Sequence, residues 1–327
     1  MHSTLLTTVA LLAAFTSAVV LPRQQSQQTI ANAGGAPPNG APPASISDAA
    51  VADFQGVNFL ENLESAFFAA GLENLTGLWY DHSLDLAIEI VTKVQAQELI
   101  HVQTAENILN HFNKPTFTPC KYVFPVTDVG EFFALSNIIT SAGIGAVINV
   151  ASGLALTDPT LVPGPASILA VEARHDAFFR AAADVSFIPN PAPFDTRISA
   201  AYALNLASAF IVPGSCAAMP SFPVIPPLKQ CSGNSPLTGS SGPITFSFDT
   251  TEVDSSKLTG SLFIGWVNQA NVINYTPANV KDGEVATTIP AGLAGLAFAA
   301  LTNQSAALNV NDLTTETLAG PAPVQIS

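Results

Sequence analysis

Two short stretches of this chain repeat one pattern: Glu98-Leu99-Ile100-His101 and Glu172-Ala173-Arg174-His175. A carboxylate and an imidazole three residues apart share one face of a helix. At helical spacing the first pair continues an apolar seam of Val91, Val94, Ala105 and Ile108. The second pair continues Leu161, Ile168, Phe179 and Ala182. Both pairs therefore interrupt core stripes, where unpaired ionisable groups cost on the order of several kcal/mol. Two compensations are available. Facing Glu-x-x-His helices can hold metal ions inside a four-helix bundle, or the four groups can form a buried hydrogen-bond network without metal.

The surrounding sequence supports a bundle. Ser47 or Asp48 can cap a first long helix from about 48 to 72, and a second runs from about 83 to 112, ahead of Lys114-Pro115. Asp128 can cap a third from about 129 to 151. Pro159 or Pro163 can open a fourth to about 183, and Asp195 can cap a shorter fifth to about 211, stopped by Pro213-Gly214. After Gly214 the pattern changes to short β-type runs, at 244–248, 258–267, 272–275, 284–289, 293–301 and 324–326, punctuated by Gly and Asn. The expected fold class is a mainly α four-helix bundle with a fifth helix, followed by a small antiparallel β-sandwich.

Five segments follow: a signal peptide at 1–18, a disordered Pro/Gln/Gly-rich leader at 19–45, and the helical bundle at 46–214. A Pro/Ser/Gly-rich linker at 215–242 and the β-domain at 243–327 complete the chain. The β-domain has no His or Cys, and its seven acids outnumber two bases. A structural role, or a cell-wall or extracellular partner, suits it better than chemistry. The two domains are expected to separate near 220–241.

The leader reads as secretory, with an apolar run followed by Thr16-Ser17-Ala18. Asn74-Leu75-Thr76, Asn274-Tyr275-Thr276 and Asn303-Gln304-Ser305 are glycan acceptor patterns suited to an exported chain. No later segment is expected to span a membrane. A net charge of −14 with only 10% charged residues argues against nucleic acid and anionic membranes as partners. Cys120, Cys216 and Cys231 allow one disulfide, either Cys120–Cys216 or Cys216–Cys231, and spacing does not choose.

A complete two-metal carboxylate site takes one carboxylate from each of two helices and Glu-x-x-His from each of the other two. The first helix offers Glu61 and Glu64, at or beside its core seam. The third offers only Asp128 and Glu131 in its first turn, which suit capping and dipole compensation. Gly143 and Gly145 suit close helix packing. The candidate metal ligands are thus Glu61, Glu64, Glu98, His101, Glu172 and His175, with no catalytic residue assigned.

The run from Asn58 to Phe210 resembles the ferritin-like domain of secreted fungal proteins related to stress-response, late-sexual-development and desiccation-related proteins. The matching pieces are Leu63-Glu64-Ser65-Ala66-Phe67-Phe68, Gln97-Glu98-Leu99-Ile100-His101-Val102, Ser141-Ala142-Gly143-Ile144-Gly145-Ala146 and Ala166-Ser167-Ile168-Leu169-Ala170-Val171-Glu172-Ala173-Arg174-His175. The resemblance implies a helical bundle and a Glu in the third long helix ahead of the Gly-rich stretch. Thr140 stands at that place here. The expected function is a secreted, non-enzymatic stress- or development-associated protein with a partial or relic metal site, holding Fe, Mn or no ion. The alternatives are an extracellular di-metal oxidoreductase acting on oxygen or peroxide, and a metal-storage protein.

Overall fold

The computed structural model describes residues 24–184, 188–231 and 241–326. The expected signal peptide and part of the 215–242 linker lie outside these. Four long helices form the bundle: α2 (Asp48–Thr76), α3 (Asp85–His111), α4 (Val129–Thr157) and α5 (Pro163–Ala183), with the shorter α6 (Ala200–Ser208) beside them. Their starts follow local chemistry. The Ser47 hydroxyl accepts from the Ala50 amide at 3.1 Å, Asp128 accepts from the Glu131 amide at 2.8 Å, and Pro163 occupies the first turn of α5. Asp158, just after α4, accepts from the Ser47 amide at 3.0 Å and so fixes the start of α2 to the end of α4.

Three expectations need correction here. The leader is not wholly disordered: α1 (Gln27–Ala33) forms within it and lies on α3. Gly34, at φ +84°, turns its amide back to the carbonyls of Ile30 and Ala31. Lys93 Nζ and Gln97 Nε2 of α3 donate to the carbonyls of Asn32 and Ala33 at 3.1 and 3.2 Å. Second, Ser199 caps α6 instead of Asp195, accepting from the Tyr202 amide. The residues between stay extended because they bridge two surfaces. Ile198 N donates to Gly145 O, and Thr196 Oγ1 donates to Leu296 O.

Third, α4 is long and apolar enough by composition to cross a bilayer, the one such helix among the described residues. Its apolarity serves packing. Phe132, Phe133 and Ile139 meet Leu63, Phe67, Phe68 and Phe179, while Val150 and Leu154 meet Ala50, Val51 and Leu109. Gly145 lets the Thr196–Ile198 backbone approach, since a Cβ there would lie 2.3 Å from Thr196 O.

The β-domain is one antiparallel sheet of seven strands: β1 (Lys229–Gln230), β2 (Pro243–Ser247), β3 (Leu262–Val267), β4 (Asn274–Lys281), β5 (Glu284–Thr288), β6 (Gly295–Thr302) and β7 (Thr317–Ile326). The order is β1-β2-β5-β4-β3-β6-β7, and the sheet curls until β1 lies near β7, so it is nearly closed. Its two halves share one core containing Phe246, Ile264, Trp266, Val285, Leu301 and Val324. The β4–β5 hairpin turns at Asp282 and Gly283, both at positive φ, as a two-residue connection of this twist requires. A short helix, α7 (Val310–Glu316), sits between β6 and β7 and was not foreseen.

Every residue of β6 is buried. Ala297, Ala299 and Leu301 face the sheet core, while Leu296, Phe298 and Ala300 face Ala146 of α4, Ile198 just ahead of α6, Tyr202 and Ala203 of α6, and Leu313 of α7. Bundle and sheet thus share a hydrophobic core across the junction that the sequence places at 220–241. A disulfide between Cys120 and Cys216 ties the α3–α4 connection to the segment after α6, and Cys231 is free and exposed.

Phe298→Ala is expected to destabilise the protein by about 3–5 kcal/mol. Thermal unfolding followed by helical circular dichroism should shift down as one transition. An unchanged helical transition would mean that the bundle does not depend on β6.

Candidate metal centre

The bundle brings all six candidate ligands into its interior. Glu61 and Glu64 come from α2, Glu98 and His101 from α3, and Glu172 and His175 from α5; each is at most 8% exposed. Glu61, Glu98, His101 and Glu172 form the tightest group, each offering a ligand atom within 4.8 Å of the others. His101 Nδ1 lies 3.0 Å from Glu98 Oε2, 3.1 Å from Glu172 Oε1 and 3.5 Å from Glu61 Oε2. His175 Nδ1 lies 3.2 Å from Glu98 Oε1 and 3.3 Å from Glu172 Oε2. Glu98 and Glu172 each therefore turn one oxygen to each imidazole.

The donor set fits a metal ion. Glu61 Oε2, Glu98 Oε1 and Glu172 Oε1 are buried without a hydrogen bond of good geometry, although each faces an imidazole nitrogen within 3.5 Å. Such oxygens are expensive to bury with so little satisfaction. Carboxylate oxygens and imidazole nitrogens together suit iron or manganese.

Without metal, protons on the imidazoles balance the acids. Burial opposes charge on His101, but Glu61, Glu172 and Glu98 outweigh it and hold its pKa well above the usual value. His175 is raised to about 10 against the same opposition, by Glu172 and Glu98. Burial pushes Glu98 upward, yet its bonds to both imidazoles prevail and keep it well below the carboxylate range. Glu61 is raised to about 8, chiefly by burial, with His101 pulling it down only in part. Glu64 is raised well above its usual value by burial and then by Glu172, Glu98 and Glu61. A metal ion here would take the place of protons.

Two supporting features were not read from the sequence. Gln97 Oε1 accepts from His175 Nε2 at 2.7 Å, and the same amide group donates to Ala33 O of α1. This bond holds the proton on Nε2 and turns Nδ1 toward the carboxylates. Gly143 makes room for Glu64: a Cβ there would lie 2.6 Å from Glu64 Oε1. The sequence assigned Gly143 to close helix packing, since nothing local links it to a residue on another helix. Thr140, one turn earlier on α4, is fully buried, and its hydroxyl has no hydrogen-bond partner. The α4 helix thus supplies no carboxylate, while α2 supplies two. Beside Glu61, Glu64 and Glu172 lies a cavity of about 20 Å³, room for one water-sized molecule.

Residues 52–184 match the family model described as a ferritin-like domain. No curated protein matches the chain. The match spans α2 to α5, the helices that carry the Glu/His cluster. The nearly closed sheet lies outside the matched residues.

Gly143→Ala should displace the Glu64 carboxylate, because the clash falls on the far end of a flexible side chain. The protein should keep a melting temperature close to the parent's, and a crystal structure should show the Glu64 carboxylate turned from α4. A Glu64 left in place would mean that the α4 backbone yields instead.

Proposed function

We propose that the protein binds a transition metal ion in the bundle core, at Glu61, Glu98, His101 and Glu172. One observation carries this reading: four buried donors from three helices converge within 4.8 Å. His175, with the second oxygens of Glu98 and Glu172, forms a further half-site. A fourth donor there would come from α4, where Thr140 stands. Iron and manganese are the ions best suited to these donors. The cavity beside Glu61, Glu64 and Glu172 favours a second reading, turnover of oxygen or peroxide, for which the ion would supply Lewis acidity and redox capacity. Secretion is supported by the Met1–Ala18 pattern and by the Cys120–Cys216 disulfide, a bond typical of oxidising compartments. The stress or developmental role rests on the family resemblance alone.

Metal analysis of untagged protein, purified without chelators and reloaded with Fe(II) or Mn(II), is expected to find about one ion per chain. His101→Ala should fall well below one. Full occupancy in that variant would sink the proposed site.

Thr140→Glu should raise the stoichiometry above that of the parent, because it adds the carboxylate that α4 lacks. Two ions per chain in the unmodified protein would show that the half-site at His175 needs no help from α4.

A further inference from the structure

The six acids and imidazoles of the candidate metal centre are each at most 8% exposed, so an ion needs a way in. The small cavity of about 20 Å³ between α2 and α4 has the form of one. Its buried end is lined by Glu61, Glu64 and Glu172, and its half-buried end by Asp53. Asp53, Leu60 and Glu64 share one stripe of α2, with Asp53 about two helical turns ahead of Glu61. All four ionisable groups along the cavity are acids, and no base lines it. Glycines of α4 seat the acids at both ends: a Cβ at Gly153 would lie 3.2 Å from Asp53 Oδ2, as one at Gly143 would crowd Glu64. Between the ends stands Gly56, which is buried, yet a Cβ there would meet nothing within 4 Å. Burial and the neighbouring Asp158 raise Asp53 to about 6, and no base draws it down. Asp158 accepts from the Ser47 amide and hydroxyl, and its charge adds to the mouth.

We infer that this cavity is the entry path of the metal ion, with Asp53 as the outer group that captures a divalent cation and passes it to Glu61 and Glu172. The inference rests on the metal site proposed above. A mouth of one sign focuses its field and concentrates the opposite charge. Carboxylate oxygens replace the water that the cation gives up. The neck at Gly56 is walled by Val57, Val147 and Val150 and has room for one water-sized molecule. A charge crosses such a neck slowly, so the neck sets the loading rate while Asp53 sets how often an ion waits at it. The cleft of about 710 Å³ between bundle and sheet also reaches Glu64. Its exposed charges are one base and one acid, Lys229 and Glu252, and its walls are largely apolar, so it offers a cation no net attraction.

The test is the rate of Mn(II) uptake by metal-free, full-length protein, followed by loss of the free-ion signal in electron paramagnetic resonance, with the final stoichiometry taken by metal analysis. Asp53→Asn is expected to slow uptake about fivefold and to leave the final stoichiometry at the parent's value. Added salt should slow the parent more than this variant. Gly56→Leu, which fills the neck, should slow uptake at least about tenfold. Should it fail to fold by circular dichroism, Gly56→Ala replaces it with a smaller slowing. Ile138→Trp fills the larger cleft instead and should load at the parent's rate, with Ala209→Trp in its place if it does not fold. Parent-like uptake by Asp53→Asn or by the folded Gly56 variant, or slowed uptake when the larger cleft is filled, would overturn the path and leave the metal site standing. A lower final stoichiometry in Asp53→Asn would also overturn it, since Asp53 would then hold the ion and not deliver it. A parent that takes up neither Mn(II) nor Fe(II) would remove the metal site and the path together.

Discussion

Glu98 is wholly buried, and its two oxygens face two different imidazoles, one on its own helix and one on α5. Glu172 returns the arrangement from α5 to α3. The bundle must hold α3 and α5 at the separation this exchange demands. Among the described residues these acids form ion pairs with the two imidazoles; Arg180, the other buried base of α5, donates to the carbonyl of Ile188. Removing one imidazole would leave carboxylates facing each other in a low-dielectric interior, which is far more costly than removing a whole pair. The geometry of the helical core is thus set by a polar knot, with the aromatic cluster of Phe67, Phe68, Phe132, Phe133 and Phe179 packed beside it.

The sheet enters the same structure through β6. A strand buried on both faces normally lies between two layers of one domain. Here one face completes the sheet core and the other completes a core shared with α4 and α6. Polar bonds follow the same path: Ser199, the α6 cap, shares a 2.7 Å hydroxyl bond with Thr314 of α7, and Thr196 Oγ1 donates to Leu296 O of β6. Loss of the sheet would expose Ile198 and Tyr202, two side chains with no surface in the intact chain.

The helices were legible because caps and seams are local. Ser47, Asp128 and Pro163 each stand where a helix begins, and the apolar periodicity placed both Glu-x-x-His pairs in the core. All six ligand candidates could be named for that reason. What the sequence withheld was relational. Asp195 reads as a cap, yet tertiary bonds of the 196–198 segment delay α6 to Ser199. Gly143 matters through a carboxylate on α2, and Gln97 through a ring on α5. The shared core was hidden because β6, a continuous apolar run, looks the same whether its second face meets solvent, a sheet or a helix.

The bond that Gln97 donates to the Ala33 carbonyl joins α1 to the residue that holds the His175 imidazole. Truncation has unequal results on the two sides of α1. A cut after Arg23 leaves the seven residues of Gln27–Ala33 and their carbonyl anchor intact. A cut past Ala33 frees the Gln97 amide, and the partner of His175 Nε2 loses the bond that fixes its own orientation. The first helix is in this sense a remote fastening for an imidazole in the bundle core, and residues far from the Glu/His cluster in sequence set the orientation of one of its members.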